Sequence, residues 1–290
     1  MAVVLEREPE LHRRAETLAP VATATATSAA VAERPLLEIR GLTLQYATAD
    51  RVVTAAWRLD LDVHAADRFM VLGPSGCGKS SLLKAVAGFL ASAEGSISLD
   101  GARVHGPGPD RIVVFQEFDQ LLPWKTVADN VAFPLVAARG MGRKAARERA
   151  RAELARVGLA GFADAYPHTL SGGMKQRAAI ARALATEPRI LLMDEPFAAL
   201  DALTRRRMQD ELLRLWEDLR FTVLFVTHSV EEALLLGSRV VVMSPHPGQV
   251  VAELDAARLD GLRPESPAFQ AAARRIDRLT FGDAAGAGRG

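Results

Sequence analysis

Five short apolar runs punctuate the chain: RFMVLG, RIVVFQ, RILLMD, TVLFVT and RVVVMS. None alternates with polar residues, which is the pattern of strands covered on both faces of a parallel sheet. Two segments nearer the start behave differently. In LLEIRGLTLQYA, Leu37, Ile39, Leu42 and Leu44 sit among polar residues, and in WRLDLDVH, Leu59, Leu61 and Val63 alternate with them. Both predict half-buried strands, and EGSISLDGARV predicts a hairpin. Helical periods separate these runs. SLLKAVAGFL reads as one helix. Met208, Leu212, Leu215, Trp216 and Leu219 share a face of another. From Thr126 to about Tyr166 the pattern is helical throughout. There TVAD places Thr126 and Asp129 at capping-box spacing, and Leu154 and Val157 share a stripe in a run rich in Ala, Arg and Glu.

The expected architecture is therefore α/β with a helical insert at about residues 117–175. The segment 1–34 carries the low-complexity stretch VATATATSAAVA and a charged run broken by Pro9, and is read as a disordered tail. The main domain is expected over 35–255. A C-terminal helix after Ser266 and a fraying tail complete 256–290.

Composition narrows the class. Of 290 residues, 49% are hydrophobic and 24% charged, as in a globular protein, and the net charge of +1 gives no electrostatic case for a nucleic-acid partner. The single cysteine, Cys77, cannot form an intrachain disulfide, which fits a reducing cytosol. No apolar run approaches the ~18 residues of a membrane span, and no secretory signal is visible.

One stretch carries chemistry on its own. Gly73, Pro74, Ser75, Gly76, Cys77, Gly78, Lys79 and Ser80, followed by Ser81, match the phosphate-loop pattern between a strand and a helix. Glycines let backbone N–H groups converge on phosphate oxygens, and the helix start adds its positive end. Lys79 is placed for the β- and γ-phosphates of ATP and Ser80 for Mg²⁺. Downstream, the apolar run Ile190–Met193 delivers Asp194 to a strand's carboxyl end, where ligands sit in open α/β sheets. Asp194 is expected in the Mg²⁺ shell, and the next residue, Glu195, is placed to polarise an attacking water. Far from the loop, LSGGMKQR (170–177) offers a second small-residue turn at a helix start, also suited to an anion.

Together these residues resemble the ATP-binding cassette (ABC) ATPases. The resemblance spans roughly residues 36–250, a full cassette by size. It implies a P-loop NTPase (RecA-like) core, an N-terminal antiparallel β subdomain and an inserted α-helical subdomain. It also implies that LSGGMKQR binds ATP held by a second copy of the chain, with Ser171 and Gly173 supplying the hydroxyl and the backbone N–H. Gln116 matches the residue that senses γ-phosphate and Mg²⁺, Asp201 the aspartate after the acidic strand, His228 the switch histidine, and Tyr46 the aromatic that stacks on adenine. Met174 stands where glutamine is usual, Ala198 where serine or glycine is, ADRF where Gly-Glu commonly precedes the loop strand, and Ser81 where threonine is common.

Within that family, chromosome-structure and repair ATPases carry a long coiled coil between P-loop and signature, and translation-associated members carry two cassettes. This chain has neither, which leaves a transporter subunit with transmembrane permease partners at the cytoplasmic face of the inner membrane. FQEFDQLLPWKTVADNVAFPL and SPHPGQVV resemble importer ATPases for nitrate, sulfonates and taurine, which implies an indirect solute-binding-protein partner. The segment around Pro123 and Trp124 is expected to meet the permease. An importer for another small organic solute, such as a thiamine or pyrimidine precursor, and a non-transport ABC ATPase are the alternatives.

Overall fold

A computed structural model describes residues 34–47, 51–115, 120–259 and 261–281. All lie in the unit Arg34–Gly290; the unit Met1–Glu33, where a disordered tail is expected, falls outside the described residues.

The centre is a six-stranded sheet in the order β10-β9-β3-β8-β7-β6. Its members are β3 (Arg68–Leu72), β6 (Arg111–Val114), β7 (Ile190–Asp194), β8 (Thr222–Thr227), β9 (Arg239–Met243) and β10 (Val250–Asp255). All pair in parallel except β10, which runs antiparallel along the edge. The unbroken apolar runs have a direct cause. Successive side chains on a strand point to opposite faces, and both faces here are covered. Met70, Leu72, Leu191, Met193, Phe225 and Val240 enter one apolar cluster, while Phe69, Val71, Ile190, Leu192, Leu224 and Val241 enter the other.

The second cluster is closed by a four-stranded antiparallel sheet, β2-β1-β4-β5, and by helix α1 (Lys79–Val86). Its strands are β1 (Leu37–Ala47), β2 (Val52–Val63), β4 (Glu94–Leu99) and β5 (Ala102–Arg103). Leu37, Ile39, Leu42 and Leu44 all face inward because the pairing with β2 shifts between Ile39 and Leu42. That irregularity flips the strand's parity.

The first cluster is covered by α2 (Val127–Ala137), α3 (Arg143–Arg156), α4 (Gly172–Ala185), α5 (Ala202–Leu219), α6 (Val230–Leu236) and α7 (Pro267–Phe281). Among the described residues, α2 and α3 lie within the expected insert, and Thr126 caps α2 by accepting from the Asp129 N–H at 3.1 Å. α7 is anchored by buried Phe269 and Ile276.

Three sequence expectations need correction. The run RIVVFQ is not a fully buried strand: β6 is the sheet's edge, and of its residues only Val114 is buried. The helix read across SLLKAVAGFL stops at Val86, where the chain turns through Gly88 and leaves Phe89 exposed. The stretch SVEE (229–232) also has the spacing of a capping box, Ser229 with Glu232, and that box is half formed. Ser229 caps α6 by accepting from the Glu232 N–H, but the Glu232 carboxylate turns into the core instead of reaching back.

Candidate functional site

β3 ends at Leu72 and α1 starts at Lys79, so Gly73–Gly78 form the connection that the motif requires. Gly78 caps α1 at φ +96°, and a Cβ there would lie 2.5 Å from the Ala55 carbonyl oxygen. Backbone conformation and close approach each demand glycine. Lys79 is buried, and its Nζ donates to the carbonyls of Gly73 and Pro74 at 2.8 and 2.9 Å. The loop thus holds its own cation in place. Cys77 is also buried, and burial pushes its thiol above the ordinary range.

Ser80 follows on the first turn of α1 and donates from Oγ to Asp194 Oδ1 at 2.9 Å. Asp194 ends β7, as the sequence predicts. Burial raises its carboxyl above the usual range, against the lowering effect of the Ser80 bond. Desolvation disfavours the charged form, so this carboxylate gains from a nearby cation. Among the described residues no three His, Cys, Asp or Glu side chains cluster as a metal site. Mg²⁺ at phosphate sites takes one or two carboxylates together with hydroxyl, phosphate and water oxygens, so a Ser80–Asp194 pair fits it.

Glu195 sits at φ +43°, and its N–H donates to the Val226 carbonyl of the adjacent strand at 3.1 Å. This backbone state is costly for a residue with a Cβ, by about 1–2 kcal/mol. Its Oε2 lies 2.9 Å from Nδ1 of His228, which follows β8. The parallel pairing of β7 with β8 brings these residues together across 33 positions of sequence. Tyr46 is 37% exposed, and its hydroxyl donates to Ser81 Oγ at 2.9 Å. A depression of ≈ 420 Å³ opens over this group, lined by Val53, Ala55, Ser75, Gly76, Gly78, Lys79, Ser80, Ser81, Glu195 and His246.

Ser171 and Gly173 do not line that depression. Ser171 caps α4 by accepting from the Met174 N–H at 3.3 Å. Gly173 is buried, and a Cβ there would meet the Thr204 methyl at 3.0 Å. Thr204 belongs to the first turn of α5, whose cap is Asp201, accepting from the Thr204 N–H at 3.0 Å. The Thr204 hydroxyl first, and its N–H second, hold the Asp201 carboxyl below its usual range. Two helix starts thus pack together, outside the lining of the depression over the P-loop of the same chain. Gln116 falls outside the described residues.

Several residues of this neighbourhood carried no sequence signal. Arg205 donates to the carbonyls of Phe197 at 3.2 Å and Leu200 at 2.9 Å, holding the turn after Glu195. Buried Gln209 and Thr227 donate to Glu232 at 3.1 and 2.5 Å. His246, inside the SPHPG stretch, reaches the nucleotide depression.

Strand, phosphate loop, helix and a second parallel strand, two places along the sheet, that delivers Asp194 and then Glu195 define a P-loop ATPase. Comparison with known proteins makes the assignment closer. The family model described as ABC transporter matches residues 57–198. The taurine import ATP-binding protein of Rhizobium johnstonii is 56% identical over 205 residues, 71% of this chain and 78% of its own length. That of Pseudomonas entomophila is 49% identical over 219 residues, 76% of this chain and 83% of its own length. A dimeric ATP-binding cassette in a post-hydrolysis state, bound to ADP and Pi, superposes with a TM-score of 0.66 at 32% identity, covering 76% of this chain and 98% of its own. This chain belongs to the ATP-binding subunits of ABC transporters, and it is an ATPase of that type.

Proposed function

We propose that this subunit powers an importer for taurine or a closely related small sulfonate. The identity to taurine import ATP-binding proteins, 56% over 205 residues, carries the solute assignment. The site itself carries none, because every group in it suits nucleotide. In this reading Lys79 meets the β- and γ-phosphates, Tyr46 the adenine, and Gly73–Ser81 supply convergent N–H groups. Ser80, Asp194 and Gln116 hold Mg²⁺, which when bound neutralises phosphate charge. Glu195 orients and deprotonates the attacking water, and its bond to His228 supports that role by fixing the carboxylate's direction. Ser171, Gly173 and Asp201 face the nucleotide of a second copy. Their packing together, outside the lining of the depression over their own P-loop, supports that arrangement.

The helical insert is the surface for the permease. A depression of ≈ 820 Å³ between α2 and α3, lined by Lys125, Phe133, Arg143 and Arg147 among others, lies there, with Trp124 71% exposed nearby. None of the described helices is long and apolar enough to cross a membrane, so transport requires that partner. The subunit then works at the cytoplasmic face of the membrane, indirectly served by a solute-binding protein.

Removing the chain from its host cell tests the solute. ATP-dependent uptake of labelled taurine is expected to fall to background and to return when the chain is restored. Unchanged taurine uptake, with loss of uptake of another small organic solute, would transfer the assignment to that solute and leave the ATPase class intact.

A further inference from the structure

The connection between β9 and β10 carries SPHPG, residues 244–248, and it is built onto the nucleotide loop. The Gly248 N–H donates to the Ala55 carbonyl at 3.1 Å, and the Trp57 N–H donates to the Gly248 carbonyl at 2.9 Å. Gly248 therefore bridges to β2. It also presses on the P-loop: a Cβ would lie 1.9 Å from the Cys77 carbonyl oxygen, so no larger residue fits. Ser244 closes the other end. Its N–H donates to the Gln249 carbonyl at 2.9 Å, and its Oγ accepts from the Gln249 N–H at 3.0 Å. Pro245 and Pro247 flank the histidine and restrict the backbone further.

His246 is thus carried on a braced loop to the wall of the depression that Ser75, Gly76 and Lys79 also line. Three titratable side chains line that depression: Lys79, Glu195 and His246. Lys79 is bonded to loop carbonyls and Glu195 to His228. The His246 ring makes no hydrogen bond or ion pair among the described residues. An imidazole N–H left open beside a loop of convergent backbone N–H groups is matched to one kind of ligand atom, an anionic oxygen. Because the loop is fixed before any ligand arrives, little ordering opposes the contact.

We propose that His246 is a nucleotide-binding residue whose ring N–H donates to a phosphate oxygen of the nucleotide on the P-loop. This rests on the reading of the site as an ATPase site.

The test uses the full chain and Mg²⁺ with adenylyl imidodiphosphate, a non-hydrolysable ATP analogue, titrated by calorimetry. His246→Ala weakens binding about five- to tenfold, the loss of roughly one hydrogen bond. His246→Gln, which keeps an N–H, retains most of the affinity, and His246→Phe, which keeps a ring without a donor, falls with alanine. The unfolding temperature without nucleotide, which a merely structural role would move, stays at the wild-type value in all three. Wild-type affinity in His246→Ala or in His246→Phe overturns the proposal. So does a glutamine variant that binds as weakly as alanine, or an alanine variant whose unfolding temperature without nucleotide falls. Lys79→Ala, measured alongside, separates the two levels: if it also binds normally, the P-loop reading itself has failed, and if it alone loses binding, only the role of His246 falls.

Discussion

At the scale of single residues, the site is held by contacts that cost backbone or burial energy and are used for position. Glu195 adopts a left-handed conformation, fixed by its N–H bond to Val226, and so its carboxylate turns toward His228 rather than continuing along β7. If it deprotonates the attacking water, Glu195→Gln removes the acceptor while keeping size and shape. Single-turnover hydrolysis is expected to slow at least ~100-fold with nucleotide affinity nearly unchanged. Hydrolysis at close to the wild-type rate in a rapid-quench experiment would reduce Glu195 to a structural acid. Lys79 shows a related economy. Its three N–H donors are partly occupied by the carbonyls of its own loop, which keeps the ammonium poised where a phosphate can take it over.

At the scale of elements, α5 and α6 are joined through one buried carboxylate. Glu232 on α6 accepts from Gln209 on α5 and from Thr227, the residue before His228. Arg205, also on α5, holds the turn between Glu195 and Asp201. The helix that follows Asp201 and the segment that positions His228 thus share a single polar centre inside an apolar cluster. Burial raises the Glu232 carboxyl above the ordinary glutamic range. The native state therefore holds that proton more tightly than the unfolded chain does, and stability falls as pH rises from the unfolded value through the raised one. Glu232→Gln abolishes that contribution. Melting temperatures of both proteins between about pH 4 and 8 should diverge in favour of glutamine as pH rises. A difference that stays flat across the range would mean that the Glu232 carboxyl holds its proton equally in the folded and unfolded chain.

At the scale of the whole molecule, the P-loop and the LSGGMKQR signature turn lie apart on one chain, on different sides of the depression's boundary. Gly173 is packed against Thr204, and neither Ser171 nor Gly173 reaches the depression above Lys79. A head-to-tail pair of chains would join each P-loop to the other chain's signature. Mixing Lys79→Ala chains with Ser171→Arg chains tests this, since the mixed pair contains one site with both parts intact. Occlusion of ATP is expected in the mixture and in neither variant alone, and it should vanish when like chains are covalently linked. A mixture that rescues nothing would show that the signature acts within its own chain.

The same three scales separate what the chain's pattern determines from what folding alone decides. Apolar runs without alternation were enough to place β3, β7, β8 and β9, because burial on both faces leaves no polar position in a strand. The P-loop was legible because its chemistry needs glycines, a lysine and a hydroxyl at fixed local spacing. The resemblance to a known family extended that reading to Ser171, Asp201 and His228. What local pattern could not carry was adjacency. β6 reads like the central strands, yet it lies at the edge, since its neighbours are chosen by sheet order and not by its own residues. SVEE has the spacing of a closed cap, but Gln209 and Thr227 offered its carboxylate better partners in the core. The register of β7 on β8 set Glu195 against His228, and the bridge from Gly248 to β2 brought His246 to the phosphate loop. Local sequence specifies backbone preference and which faces are buried; which distant side chains then meet is set only when strands pair and the two apolar clusters close around them.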